Sequence, residues 1–250
     1  PELPSDKARE ELVIDWSEAN YSELPRGAHT GNVIHDLLEN IPFHILAEEN
    51  DISQQRERSC QRYGLKTSQP EQIDLLLKNT VNSSLSKDDE QFVLKNLQAK
   101  QCLKEMPFYL SMQTLDASQI NHILKDDPCY QPLSRKTLCG YLTGFIDLIC
   151  EYKGQYFVMD YKSNGLESYE QHDLVDAMRE HNYGLQYWIY TLVLHQYLKN
   201  RLADYSYEKH IGGVKYLFVR GMDEGKANNG VYEIKPEFSK LEQLAGLFIV

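Results

Sequence analysis

The sequence predicts an α/β protein in which a mostly helical N-terminal region precedes a mixed β-sheet flanked by helices. Three observations predict this architecture. Apolar residues follow helical spacing before about residue 104, two β-rich runs flank Lys153-Gly154, and a long helical segment beginning near residue 174 precedes two further β-rich runs. Helices followed by strands that alternate with helices are typical of an α/β organisation.

Residues 1–26 differ in composition from the rest of the chain. They contain three prolines, many charges and little periodic apolar content, so we expect a linker that arrives from an upstream region. The folded domain is predicted over 27–250. Its first helix begins near Thr30 and ends before Pro42, because an apolar stripe with helical spacing lies between them, and this helix carries His35.

The stretch 27–104 is predicted to be mostly helical, and 105–250 to form the α/β core. The last helix of the first part is expected to begin near Ser86 and to carry the apolar stripe Phe92, Val93, Leu94 and Leu97. A strand is expected at 106–112, followed by a polar excursion to about Arg135. Helical spacing at 174–202, with a break at Gly184, precedes strands at 214–220 and 231–234.

The runs 144–152 and 155–161 predict a β-hairpin that turns at Lys153-Gly154. Residues equidistant from such a turn face each other, which places Asp147 opposite Asp160. Opposed side chains point to one face of the sheet, and Lys162, two residues after Asp160, joins that face. The hairpin therefore brings two carboxylates and an ammonium group together.

Opposed carboxylates repel each other and require a shared proton, a salt bridge or a divalent cation. Mg²⁺ prefers oxygen ligands and can clamp a phosphate while activating water, which is the chemistry of phosphodiester hydrolysis. The alternative is a solvated strand face with a surface salt bridge. Apolar residues predict burial of both hairpin faces and so favour the first interpretation: Phe145, Ile149 and Val158 lie on the carboxylate face, and Ile146, Leu148, Phe157 and Met159 on the other.

The overall composition excludes several classes of protein. No apolar stretch is long enough to span a membrane. The five cysteines are scattered without a C-x-x-C pair, which favours a reducing, cytoplasmic setting and gives no indication of a zinc site. A formal charge of -11 argues against a protein that holds nucleic acid by bulk electrostatic attraction alone.

Four separated motifs, in this order and spacing, resemble the RecB nuclease family of the PD-(D/E)XK superfamily: Gly31-x-x-x-His35-x-x-Leu38-Glu39, Gly144-Phe145-Ile146-Asp147, Asp160-Tyr161-Lys162 and Gln186-x-x-x-Tyr190. The resemblance implies a restriction-endonuclease-like sheet and a bacterial, cytoplasmic Mg²⁺-dependent deoxyribonuclease of the exonuclease V type. It also implies that DNA strands are delivered by helicase domains of the same polypeptide within a RecBCD-type complex, in double-strand-break repair and recombination.

The resemblance further implies the roles of individual residues. His35, Asp147 and Asp160 are expected to hold Mg²⁺ with the main-chain carbonyl of Tyr161, and Lys162 to act on the attacking water. Mn²⁺ is expected to substitute for Mg²⁺, whereas Ca²⁺ should inhibit, because its looser coordination does not impose octahedral geometry. Taken without the other motifs, His35 would more often be a satisfied core histidine, and the alternative for Lys162 is a surface lysine.

Gln186 and Tyr190 are four residues apart and share one helix face. They could contact a phosphate, support Lys162, or form a polar pair at the edge of the core. The competing functional hypothesis is a catalytically silent, nuclease-like docking module of a DNA-processing complex, against which the intact carboxylates and Lys162 argue.

Overall fold

The computed structural model describes residues 24–48 and 50–248, so the predicted linker lies almost entirely outside the described residues. Within them, five strands form one sheet in the order β1-β2-β3-β4-β5. Only the β3–β4 pair is parallel, so the predicted mixed sheet is confirmed. The strands are β1 (Cys102–Asp116), β2 (Thr137–Tyr152), β3 (Gln155–Lys162), β4 (Ile211–Phe218) and β5 (Val231–Ile234).

The predicted hairpin is confirmed as β2–β3. Lys153 and Gly154 both have positive φ, at 51° and 80°, which is the conformation of a two-residue type I′ turn. This turn fixes the predicted register, and the ladder runs from Tyr152↔Gln155 to Leu148↔Met159. Asp147 and Asp160 are the next positions, where β2 and β3 separate.

Four helices follow one another in the N-terminal part: α1 (Ala28–Asn40), α2 (Phe43–Ala47), α3 (Ser53–Tyr63) and α4 (Glu71–Asn82). The prediction of a further helix on the Phe92 stripe is wrong, because only short 3₁₀ turns occur there. The Phe92 carbonyl accepts a hydrogen bond from the Leu85 amide, and the Phe92 ring stacks on Tyr152 at 4.1 Å. These tertiary contacts replace the helical hydrogen bonds.

The C-terminal part contributes α5 (Ala117–Leu124), α6 (Gln171–Glu180), α7 (Tyr183–Lys199), α8 (Tyr207–His210) and α9 (Phe238–Ala245). The break expected at Gly184 occurs just before it, where Asn182 adopts a left-handed conformation with φ 50°. Gly184 itself lies inside α7, and a Cβ there would come within 2.5 Å of the Cys129 backbone. A glycine is needed here because the helix packs closely against the Cys129 backbone, and it does not mark the end of a helix.

The sheet separates two apolar clusters. Residues of α5, α6, α7 and α9 form the first cluster together with Ile146, Ile149 and Val158, whereas α1 to α4 form the second with Leu148 and Met159. The fold is thus a mixed sheet flanked by helices on both faces, as predicted. Among the described residues, no helix is both long enough and apolar enough to cross a lipid bilayer.

The prediction that both hairpin faces are buried fails at Phe145, which is 57% exposed. Between Thr137 and Ile146, β2 pairs with β1 alone, because the β2–β3 ladder begins only at Leu148. The two strands therefore project beyond the rest of the sheet as a ribbon. One face of this ribbon, which includes Ile146, packs on the first cluster, and the face that carries Phe145 is left open.

Candidate active site

The site begins where β2 and β3 separate. Beyond Met159, β3 pairs with β4, and the Tyr161 amide donates to Asp147 Oδ2 at 2.9 Å instead of to a strand carbonyl. The side chain of Asp147 thus occupies the place of a missing ladder bond. This contact holds the carboxylate beside the backbone of β3.

His35 reaches this point from α1. Its Nε2 lies 3.0 Å from the Tyr161 carbonyl, and its Nδ1 lies 3.4 Å from Asp147 Oδ2. Burial opposes a positive charge on the imidazole, but the hydrogen bond and charge of Asp147, with the charge of Asp160, raise the pKa of His35 above its ordinary value. The structure therefore brings together three groups that the family resemblance assigned to the metal: His35, Asp147 and the Tyr161 carbonyl.

Glu105 is a further candidate ligand, and it lies outside the four sequence motifs. One ligand atom each from His35, Glu105 and Asp147 lie within 4.8 Å of one another. The β1–β2 register flanks Glu105 and Asp147 with the pairs Lys104↔Leu148 and Met106↔Ile146, so the two carboxylates oppose each other. Burial, followed by the charges of Asp147 and Glu39, raises the pKa of Glu105.

Glu105 has a φ of 49°, a left-handed conformation that is uncommon for glutamate and costs about 1–3 kcal/mol. Such residues persist where their surroundings hold them, often at functional sites. The sequence offered one weak signal, a carboxylate at the start of a β-rich run. The β1–β2 register that pairs it with Asp147 is set across a long connection and cannot be read from a turn.

Asp160 lies deeper and does not belong to this three-residue cluster. Its side chain is almost completely buried, and its Oδ2 lies 2.5 Å from Lys162 Nζ. Burial, followed by the charge of Asp147, raises the pKa of Asp160 to about 6, although Lys162 acts in the opposite direction. The prediction that Ile146 shares a face with Leu148 is wrong, because Ile146 packs in the cluster of Ile149 and Val158, and Leu148 packs in the other. In the described conformation Asp160 contacts Lys162.

Polar and aromatic groups surround the Lys162 ammonium. It donates to Gln186 Oε1 at 3.2 Å and lies 4.1 Å from the centre of the Tyr183 ring and 5.2 Å from that of Tyr216. Gln186 Nε2 donates to the Tyr190 hydroxyl at 2.8 Å.

The Tyr190 hydroxyl donates in turn to the Phe145 carbonyl at 2.9 Å. Of the alternatives for Gln186 and Tyr190, this geometry corresponds to support of Lys162.

Lys104 fixes the end of the helix that carries His35. Its ammonium donates to the carbonyls of Leu38, Glu39 and Ile41 at 2.5, 3.0 and 3.3 Å. These carbonyls lie at the C-terminal end of α1, where a positive charge is favourable. Lys104 thereby ties β1, next to Glu105, to α1.

The donor set suits a divalent cation. It combines one imidazole, two carboxylates and an adjacent backbone carbonyl, and a third carboxylate, Asp160, lies beside them. Carboxylate and carbonyl oxygens are the ligands that hard divalent ions prefer. Burial and the charges of neighbouring carboxylates raise the pKa values of Glu105 and Asp160. A bound cation would favour their ionised forms, so the residues fit such an ion.

Comparisons with known proteins give a matching family and several similar proteins. The family model of the PD-(D/E)XK nuclease superfamily matches residues 8–246. The chain is 34% identical over 257 residues to RecBCD enzyme subunit RecB of Escherichia coli K12, covering 99% of the chain and 21% of that protein. Identity is 35% to the RecB subunit of Haemophilus influenzae, with 94% of the chain and 20% of the relative covered. For the RecB subunit of Mycobacterium tuberculosis H37Rv, identity is 30%, with 80% and 21% covered. The chain spans about a fifth of the length of these relatives.

Proposed function

Because the chain belongs to the PD-(D/E)XK nuclease superfamily, we propose that it is a Mg²⁺-dependent deoxyribonuclease that hydrolyses DNA phosphodiester bonds during double-strand-break repair and recombination. The observation that supports this most is the cluster of His35, Glu105 and Asp147 beside a buried Asp160–Lys162 pair. The strands would be delivered by helicase domains of a longer polypeptide, within an assembly like the RecBCD enzyme to which the similar RecB subunits belong. The linker at 1–26 would connect the nuclease domain to them.

In this proposal, His35, Glu105, Asp147 and the Tyr161 carbonyl would hold the cation, and Asp160 would supply a further oxygen. A bound Mg²⁺ would polarise the scissile phosphate and lower the pKa of the attacking water. Asp147 has a second role, because its bond to the Tyr161 amide orients the adjacent carbonyl towards the same site. The chain thereby prepares the ligand positions before the ion arrives.

Lys162 supplies the fixed positive charge. Its ammonium stabilises the negative charge that develops on the phosphate oxygens and orients the attacking water. Asp160, Gln186 and two aromatic rings hold it in place, so little reorganisation is needed as the reaction proceeds. Gln186 and Tyr190 act through Lys162 and are positioning residues.

The proposal is tested by incubating the purified 250-residue chain with end-labelled single-stranded DNA, with Mg²⁺ and with a chelator. We expect cleavage only with the metal, and a loss of at least about 100-fold in Asp147→Ala and Lys162→Ala, a typical cost of removing an electrostatic contact to the transition state. Asp126→Ala, which removes an exposed carboxylate, is the matched control and should cleave normally.

A second readout does not depend on activity. Mn²⁺ soaked into crystals should give anomalous density between His35, Glu105 and Asp147, and none in Asp147→Ala. Cleavage that survives chelation or the Asp147 substitution would refute the assignment of the site. A folded wild-type chain that binds Mn²⁺ without cleaving any DNA would favour the silent docking module instead.

A further inference from the structure

The open face of the β1–β2 ribbon carries three exposed aromatic side chains. The register pairs Pro107 with Phe145, Tyr109 with Thr143 and Ser111 with Tyr141, so these six residues share one face. On this face, Tyr109 is 73% exposed, Tyr141 76% and Phe145 57%. We name these three residues the aromatic strip. Exposed rings grouped in this way are unusual and indicate an interaction surface.

The rings are regularly placed. Tyr109 lies opposite Thr143, so Phe145 and Tyr141 are its two diagonal neighbours across the ribbon. Diagonal neighbours in an antiparallel pair are about 7–8 Å apart and within reach of aromatic side chains. Along the ribbon, the rings follow one another in the order Tyr141, Tyr109 and Phe145. Each is two residue positions from the next, and they alternate between β2 and β1.

The aromatic strip leads directly to the candidate active site. The opposite ribbon face, with Phe108, Leu110 and Ile146, packs on the cluster that includes α7. His35 approaches Glu105 and Asp147 from α1, whose apolar residues belong to the other cluster. The strip and the cluster of His35, Glu105 and Asp147 thus lie on the same side of the ribbon, with Phe145 two residues from Asp147.

The six residues of this face carry no formal charge, although the chain as a whole carries -11. A polyanion that approaches the site along the ribbon meets no carboxylate between Tyr141 and Asp147 on this face, a distance of about 20 Å at the rise of a β-strand. Tyrosine and phenylalanine rings stack on bases of any sequence, because every base has a π-face. A duplex hides these faces within its own stack, whereas a single strand exposes them.

We propose that the aromatic strip is a stacking platform that holds the bases of single-stranded DNA as it enters the active site. This inference rests on the proposed function and names the surface that holds its substrate. The three rings accept unstacked bases in succession, with Phe145 nearest the scissile phosphate. Tyr109 and Tyr141 set the affinity for the strand and leave the chemical step to the metal ligands and Lys162.

The test compares two double variants of the 250-residue chain. Tyr109→Leu/Tyr141→Leu keeps apolar bulk but removes the rings, whereas Tyr109→Phe/Tyr141→Phe keeps them. Binding is measured by fluorescence anisotropy in Ca²⁺ and low salt with three probes: oligo-dT, an abasic strand of equal length, and a duplex. Loss of one stacking ring weakens binding by at least about 5-fold.

We expect the leucine variant to bind oligo-dT roughly 25-fold more weakly than wild type if the two rings act independently. The phenylalanine variant should bind it normally, and all three proteins should bind the abasic strand alike. Equal oligo-dT affinity in the leucine variant would overturn the proposal and favour a protein partner for this face. Equal losses on the abasic strand or the duplex would also overturn it.

Cleavage of bis(p-nitrophenyl) phosphate, a diester without bases, separates this inference from the proposed function. The leucine variant should hydrolyse it at the wild-type rate in Mg²⁺, and Asp147→Ala should not hydrolyse it. A wild-type chain that hydrolyses neither this ester nor DNA would refute the proposed function, while the binding comparison would still decide the role of the strip. A leucine variant inactive on the ester would show that the rings support the active site itself and would overturn the platform.

Discussion

Replacing Asp160 by asparagine should stabilise the metal-free protein at neutral and alkaline pH, although it removes a candidate metal ligand. The side chain is only 2% exposed, and its pKa rises from an ordinary 3.8 to about 6. Folding therefore disfavours the charged carboxylate even with Lys162 beside it. A pKa of about 6 in place of 3.8 corresponds to about 3 kcal/mol of lost stability once the group is ionised, with the attraction to Lys162 already included.

The sign of the pH dependence follows from the direction of the shift. The unfolded carboxyl group loses its proton near pH 3.8 and the folded one near 6, so the folded chain binds more protons between these values. Stability falls as the pH rises through this window, and the penalty is complete above it. The substituted asparagine carries no charge, so the advantage of the variant should be absent near pH 4 and complete near pH 8.

Thermal unfolding in chelator measures this difference. For a chain of this size, about 3 kcal/mol corresponds to a Tm increase of roughly 6–12 °C. Asp126→Asn, at an exposed position, is the control and should leave Tm unchanged. Adding Mg²⁺ should reduce the Tm difference between variant and wild type. Binding stabilises the wild type by about 2.7 kcal/mol when Mg²⁺ is at a hundredfold excess over its Kd, and it stabilises the variant less. A variant no more stable than wild type at pH 8, or equally favoured at pH 4, would refute the reasoning.

Four further predictions concern the site and its ligands. Tyr190→Phe, which removes the hydroxyl between Gln186 and the Phe145 carbonyl, should lower kcat about 10-fold with KM nearly unchanged, because Lys162 is held less firmly; a change in KM alone would contradict this. Lys104→Met should weaken Mn²⁺ binding about 10-fold in calorimetry, because the end of α1 loses its cation. Unchanged affinity would exclude that role. Ca²⁺ should bind without supporting cleavage and should compete with Mg²⁺; full activity in excess Ca²⁺ would argue against the site. At about 150 mM salt the chain should bind duplex DNA with a Kd no tighter than about 10⁻⁶ M. A nanomolar Kd with a steep salt dependence would show that the chain binds DNA tightly without a partner and would contradict this prediction.

Part of the site was determined by local sequence. The two-residue turn at Lys153-Gly154 fixes the β2–β3 register, so the proximity of Asp147 and Asp160 follows from counting residues. Helical spacing likewise places His35 on α1, and Gln186 and Tyr190 on one face of α7. The role of His35 as a ligand came from the family resemblance, and the roles of all these residues stay predictions.

Other features were decided by contacts between segments far apart in the chain. Glu105 joins His35 and Asp147 through the β1–β2 register, which no short turn sets, because residues 117–136 separate the two strands. The stripe at Phe92 has helical spacing, but its backbone bonds to Leu85 instead. Phe145 has the pattern of a buried residue but is exposed. At this position β2 no longer pairs with β3 and projects beyond the rest of the sheet. The sequence by itself determined the features that a turn or a helical period fixes over a few residues. Strand pairing across long connections and burial between layers depend on the packing of the whole chain, so only the tertiary structure decided them.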